Sequence, residues 1–231
     1  MIVFVIANLE SSAKDDAGLT DNLLIPLKDN FVFLQEGKGS WYGGKFHLRQ
    51  TASGEVYDMN LFTAAHKTLP FGTIARVRNI EKNRSVLFRV TDRGPFTKNR
   101  IVDLSYKCAQ EADIYSNGTG DIVLDCILPE TSLPLTSDSD DFYIAYSYNY
   151  PLLLVHKNAI FKICYTHSFD DAVEYYSAYA NCNPEKNLFL LVPVNQRVCK
   201  SAGQNDFFIG VYTDKPFSLP SPVVNAINQS K

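Results

Sequence analysis

The chain has 231 residues, 45% of them hydrophobic and 20% charged, the composition of an ordinary folded protein with a real core. Residues 37–128 carry 13 Lys and Arg against 9 Asp and Glu, a net of +4, while the remainder carries 9 against 16, a net of −7. Basic residues are scattered singly and no nucleic-acid motif occurs, which argues against nucleic acid as a partner; the mildly basic segment suits an anionic polymer or a solvated mixed surface.

The chain opens on an apolar run, Met1 to Ala7, followed by Ser11-Ser12-Ala13. It lacks a basic flank and is too short to span a membrane, so an export signal, a trimmed end and an opening strand all stay open. No cysteine precedes Cys108, so no lipid-attachment cysteine is expected in this chain. Residues 1–36 read as an N-terminal extension. From Gly37 the texture changes to short strands separated by turn residues. Ile74–Arg78, Ser85–Val90 and Ile122–Leu128 alternate as half-buried strands do, and Glu81 to Arg84 makes a polar hairpin turn between the first two. A helix is predicted from about Leu104 to Ile114, with Asp103 or Ser105 at its start. Short strands dominate 37–128, which predicts a compact β-barrel. Residues 129–141, rich in proline, small hydroxyls and acid, read as a linker. Beyond it, strand-like segments 142–148, 152–155, 159–164, 188–192 and 207–212 surround a helix over 171–180 capped by Ser168, which predicts a small α+β domain over 142–231.

Three polar islands interrupt the barrel segment. The first runs from Gly39-Ser40-Trp41-Tyr42 through Arg49 to Glu55 and Asp58. The second holds His66, Lys67 and Pro70-Phe71-Gly72. The third is Thr91-Asp92-Arg93-Gly94-Pro95-Phe96, continuing to Arg100 and Asp103. Cleaving a glycosidic bond needs a proton donor at the leaving oxygen, usually a carboxylic acid. Asp92 fits, because a strand delivers it to a rim and Gly94-Pro95 turns the chain away; the same residue also fits a turn former. His66 reads equally as a hydrogen-bonded structural histidine, Glu55 as a solvated turn residue and Asp103 as a helix cap. Trp41 and Tyr42 suit stacking on sugar rings or plugging a barrel. Nothing resembles a phosphate loop, and the Cys and His spacings suggest neither a metal site nor a cofactor site.

The ordered segments Gly39-Ser-Trp-Tyr-Gly43, Thr51-Ala-Ser-Gly-Glu55, Leu61 to Gly72, Asp92-Arg-Gly-Pro-Phe96 and Ile101-Val-Asp-Leu-Ser105 cover about residues 37–128. Together they resemble the rare-lipoprotein-A family of septal lytic transglycosylases, bacterial relatives of barwin and expansin domains. The resemblance implies a six-stranded double-psi β-barrel with a groove across one face, no cofactor, and peptidoglycan stripped of stem peptides as substrate. It places the family's catalytic acid on Asp92 and its supporting histidine and glutamate on His66 and Glu55. Asp103 falls where expansin-like barrels keep an acidic residue, a secondary acid. Trp41, Tyr42 and Phe96 would meet the sugar; Arg49, Lys67 and Arg93 would meet its polar or carboxylate groups.

The implied reaction is proton donation by Asp92 to the oxygen linking N-acetylmuramic acid to N-acetylglucosamine. The muramic C6 hydroxyl then closes on C1 of its own ring, giving a 1,6-anhydro end, with Glu55 and His66 holding or deprotonating that hydroxyl. Family members are associated with the septal division machinery and the periplasmic cell envelope. Many end in a sporulation-related repeat domain, to which residues 142–231 are similar in length. A glycan-binding module without turnover, and a hydrolase using Asp103 or Asp58 to activate water, are the competing readings.

Overall fold

The computed structural model describes residues 24–27, 30–135, 138–183, 186–199 and 205–212. The apolar run Met1 to Ala7 and the stretch Ser11 to Ala13 lie outside these. Six strands close a barrel: β2 (Phe33–Trp41), β3 (Thr63–His66), β4 (Ile74–Asn79), β5 (Arg84–Asp92), β6 (Arg100–Leu104) and β7 (Thr119–Cys126). Around the barrel the order is β2-β6-β3-β5-β4-β7. Two of the pairings, β2 with β6 and β3 with β5, are parallel, and the other four are antiparallel. This crossed arrangement of two parallel pairs within a closed sheet is the double-psi barrel. β4 and β5 form a hairpin whose register runs from Ile74 opposite Arg89 to Asn79 opposite Arg84, with Asn83 in the left-handed region at φ 50°. Helix α1 (Tyr106–Glu111) follows β6 and is shorter than its apolar pattern suggests; Ser105 Oγ accepts from Cys108 N at its start.

The second unit is an α+β layer. Strands β8 (Phe142–Tyr146), β9 (Leu153–His156), β10 (Ile160–Thr166), β11 (Leu188–Pro193) and β12 (Phe207–Tyr212) join β1 (Leu24–Pro26) in an antiparallel sheet of order β1-β9-β8-β11-β12-β10. Helix α2 (Phe169–Cys182) lies against β10, β11 and β12. Ser168 Oγ caps it by accepting from Asp171 N at 3.2 Å. Among the described residues no helix is long and apolar enough to cross a membrane.

One apolar core joins the two units. Val77, Val86 and Phe88 of the barrel belong to the same buried cluster as Ile144, Phe169, Leu190 and Phe207 of the second unit, and Leu133 and Leu135 pack against it. This explains a departure from the alternating pattern of β4. Arg76, expected to face water, is buried. Its Nε donates to Asp125 Oδ1 at 2.9 Å, its Nη2 to Asp125 Oδ2, and its Nη1 to the carbonyls of Ser147 and Tyr150. Periodicity reports one strand's two faces; it does not report a second layer covering the outer one. The Asp125 carboxylate and two carbonyls satisfy the guanidinium where water cannot reach.

Candidate functional site

Two irregularities in the barrel shape the site. Along β5, Val86, Phe88 and Val90 share one face and are fully buried. Strict alternation would turn Asp92 to that same face. The β3–β5 register instead passes from Ala64 opposite Val90 to Ala65 opposite Asp92, leaving Thr91 as the extra residue. A bulge of this kind re-aims the side chain that follows it. Along β6, the register passes from Lys38 opposite Arg100 to Gly39 opposite Val102, with Ile101 as the extra residue. Arg100 and Asp103, which alternation would separate, thus line one groove. Ala65 pairs with Asp92 on one side and Asp103 on the other, so the two acids flank it across adjacent strands.

The groove has a volume of about 900 Å³, and its lining includes Trp41, Tyr42, Arg49, Asp92, Arg93, Phe96, Arg100 and Asp103. Asp92 lines the groove, and its Oδ1 accepts from the backbone N–H groups of Ala52 at 2.9 Å and Arg93 at 2.8 Å, which fixes the carboxyl group. Gly94 follows at φ 141°, a conformation that favours glycine, and it lets the chain turn off the strand end. Asp103 Oδ1 accepts from the buried Ser40 hydroxyl, and Oδ2 lies 3.4 Å from Arg100 Nη2. Phe96 stands 90% exposed at the rim, so its ring is free to meet a flat apolar face of a ligand. Trp41 packs against Tyr106 and Tyr115, and Tyr42 against Tyr57 at 4.4 Å between centroids.

Tyr42 brings an unusual group to this wall. Its hydroxyl is buried and has no hydrogen-bond partner among the described residues. Burial pushes the phenol up from its ordinary value, with Tyr57, Asp92 and Asp103 adding to the effect.

Glu55, His66 and Lys67 lie outside the groove lining. Both Glu55 oxygens are taken by Arg89, with Nη1 to Oε1 at 2.6 Å and Nη2 to Oε2 at 2.7 Å. Arg89 is buried, and beyond it Asp170 of α2 accepts from the Phe62 N–H at 2.6 Å. His66 is buried, and both ring nitrogens are committed. Nδ1 accepts from Thr68 N at 3.2 Å and Leu69 N at 3.0 Å, so the proton resides on Nε2, which donates to Gln35 Oε1 at 3.0 Å. Burial, with the Arg93 and Lys67 cations adding to it, holds its pKa down to about 4, so the ring is neutral at pH 7. The turn that His66 ties down supplies the carbonyls of His66 and Leu69 to Arg93 Nη1, at 3.4 and 3.0 Å. The Arg93 guanidinium also stacks 3.6 Å from the Phe71 ring centroid. His66 therefore reaches Asp92 indirectly, through its turn and Arg93.

Lys45 and Phe46 at the groove go unnamed in the sequence reading, and Arg100 and Ser40 fall within its polar islands without a role. A basic residue three positions before Asp103 is the available signal for Arg100. Among the described residues no group of three or more His, Cys, Asp or Glu side chains is placed to hold a metal ion.

Barrel topology and groove together define a double-psi β-barrel whose site lies across the two parallel pairs. Residues 34–124 match the family described as lytic transglycolase, and this part of the chain is similar to RlpA-like double-psi β-barrel proteins. The chain is similar to the endolytic peptidoglycan transglycosylase RlpA of Neisseria meningitidis serogroup B, 43% identical over 134 residues, 58% of this chain and 56% of that one. It is likewise similar to the proteins of the same name from Campylobacter jejuni, 50% identical over 92 residues (40% and 34% of the two chains), and Vibrio cholerae, 46% identical over 101 residues (44% and 38%). The chain thus spans about half the length of the first of these relatives and about a third of the others.

Proposed function

We propose that this protein is a lytic transglycosylase that cleaves the bond between N-acetylmuramic acid and N-acetylglucosamine in peptidoglycan, acting in the cell envelope on strands stripped of stem peptides. The observation that carries this reading is Asp92: a carboxyl group fixed by two backbone amides, presented by a bulge to an open groove with an exposed aromatic rim. Its relatives' names, which specify endolytic peptidoglycan transglycosylase, support the same reaction.

In the proposed mechanism, protonated Asp92 gives its proton to the glycosidic oxygen as the C1–O bond breaks. The muramic C6 hydroxyl forms the new bond to C1, and its proton returns to the Asp92 carboxylate, closing the balance without water. Asp103 flanks the reacting centre as the second groove carboxylate. Glu55 and His66 act as positioning residues, the first by fixing Arg89 and the second by holding the turn behind Arg93. Trp41, Tyr42 and Phe96 form the sugar-contacting walls, with Arg49 on the rim. The septal division machinery is the proposed cellular setting, the periplasm the compartment, and the sporulation-related character of 142–231 a proposal of the same kind.

Incubation with denuded glycan strands, followed by mass spectrometry, tests the reading. Wild type is expected to yield 1,6-anhydro-muramic ends, and Asp92→Asn to lower the yield by about 10²–10⁴-fold, the usual contribution of a general acid. No anhydro ends from wild type, or an undiminished yield from Asp92→Asn, overturns it. A second reading rests on Asp103 lying one strand beyond Ala65: two strand spacings put the two acids' backbones about 10 Å apart, room for a water between the carboxyl groups. That hydrolase would give reducing ends, and a binding module would give no new ends.

A further inference from the structure

Of the cations lining the groove, Arg100 is the one whose state is unexplained by its neighbours. Lys45 and Arg49 are exposed and flank the Phe46 ring, at 5.0 and 5.9 Å from its centroid. Arg93 is committed to Phe71 and to the turn carbonyls. Arg100 is anchored at the start of β6 with its Nε buried and without a partner among the described residues. Among the described residues its single polar contact, to Asp103 Oδ2, is long at 3.4 Å, whereas Asp103 is already engaged by Ser40 on its other oxygen. A guanidinium carries five N–H donors in a fixed fork. A donor at 3.4 Å is weakly used, and a buried N–H left unmet costs about 1–3 kcal/mol. The groove therefore holds a donor fork that the protein itself leaves largely unspent, beside the acids that flank Ala65.

We propose that Arg100 is a specificity-determining residue that receives a carboxylate of the bound glycan, so that the groove selects strands whose sugars carry a free carboxyl group. A carboxylate is the acceptor that matches a guanidinium fork, taking two parallel N–H bonds, and a sugar hydroxyl cannot. The charge balance agrees: four cations, Lys45, Arg49, Arg93 and Arg100, line the groove against two carboxylates, Asp92 and Asp103. Arg100 also lies four residues along β6 from Leu104, whose carbonyl accepts from Tyr42 N, which separates it by about 13 Å from the Tyr42 end of the groove. The carboxyl-bearing sugar would then sit toward the Arg100 end, fixing the direction in which a strand lies. This inference rests on the proposed glycan substrate and adds which chemical group on it is read.

The test uses denuded glycan strands in two forms, intact and with the carboxyl groups reduced to alcohols. Binding is measured by fluorescence anisotropy with the full chain carrying Asp92→Asn, and cleavage separately with wild type. Intact strands are expected to bind at least about tenfold tighter than reduced ones, in keeping with a charge-assisted hydrogen bond. Adding Arg100→Gln should abolish that preference, and Arg100→Lys, which keeps the charge and drops the fork, should weaken it. Equal binding of the two strands by the chain with Arg100 intact, or a preference that survives Arg100→Gln, overturns the proposal. If Arg100→Gln fails to fold, as read by thermal melting, Arg100→Lys decides, and an unchanged preference in it overturns the proposal. A preference that depends on Arg100 in a protein that produces no anhydro ends would refute the transglycosylase reading and leave this inference standing. Failure to bind either strand refutes both.

Discussion

At the scale of single residues, the Tyr42 hydroxyl is the group whose energetics and function pull apart. A buried hydroxyl without a partner destabilises the fold, and its removal leaves a phenyl ring of nearly the same shape against Tyr57. Tyr42→Phe is therefore expected to raise stability by up to about 1 kcal/mol, measured as a higher urea midpoint with unchanged slope. If the phenol meets substrate in the groove, the same variant should also raise KM. A lower midpoint would mean the hydroxyl is satisfied in solution. The motif around Tyr42 points to a sugar-contacting wall, and the groove does include it. What the motif could not convey was that the ring's polar end is withdrawn among Tyr57, Asp92 and Asp103. Arg100, part of the third polar island, receives no role from the sequence for a related reason: a strand's alternation assigns it and Asp103 to opposite faces, and only the extra residue at Ile101 reunites them.

At the scale of elements, the turn after β3 depends on a neutral imidazole. His66 Nδ1 holds the N–H groups of Thr68 and Leu69, and a proton at that nitrogen would expel both. Its folded pKa of about 4 lies below the 6.5 of a free imidazole, so as pH falls the unfolded chain binds the proton first. The stabilisation is complete above about pH 6.5 and is lost as pH falls from there through about 4, a change on the order of 3 kcal/mol. Chemical denaturation at pH 7, 5.5 and 4.5 checks this: His66→Gln should be less stable at pH 7 and should show a shallower decline. A parallel decline in the two proteins would exclude His66 as its source. The motif around His66 was legible in the sequence, but as a polar island rather than as the buried strand β3 that the segment forms. The direction of the ring was not, because residue spacing carries no information on which side of a four-residue strand, every residue of it buried, faces a groove. The same holds for Glu55, eleven positions earlier, whose partner Arg89 lies 34 residues away.

At the scale of the molecule, one buried guanidinium ties the barrel to the second unit: Arg76 is paired with Asp125 inside the barrel and donates to the carbonyls of Ser147 and Tyr150 beyond it. Asp125→Ala would leave the Arg76 guanidinium buried and short of its carboxylate, and is expected to cost about 3–5 kcal/mol. Replacing both partners, as Arg76→Met with Asp125→Leu, should recover a large part of that loss, because an apolar pair needs no desolvation to be repaid. Thermal unfolding of the single and double variants measures the difference, and a double variant no better than Asp125→Ala would refute it. Alternation and turn residues made β4, β5, β7 and the five strands β8 to β12 legible, whereas β1, β2, β3 and β6 were not, and the count of six barrel strands came from the family resemblance. The shared core was not legible either, since each strand's pattern describes its own two faces and nothing that later packs upon them.

The edge strand β1 gives this architecture a history as well as a shape. Leu24 pairs with Val155, so the strand must wait for a partner 131 positions later in the chain, while all six barrel strands are made in between. Closing so long a loop is entropically slow, and contacts of this separation come late in folding. During synthesis from the ribosome the barrel can complete itself first, with β1 unpaired until β9 emerges. Pro26, which has no N–H to offer, stands in that strand at the sheet's margin, where it discourages a second chain from pairing in the interval.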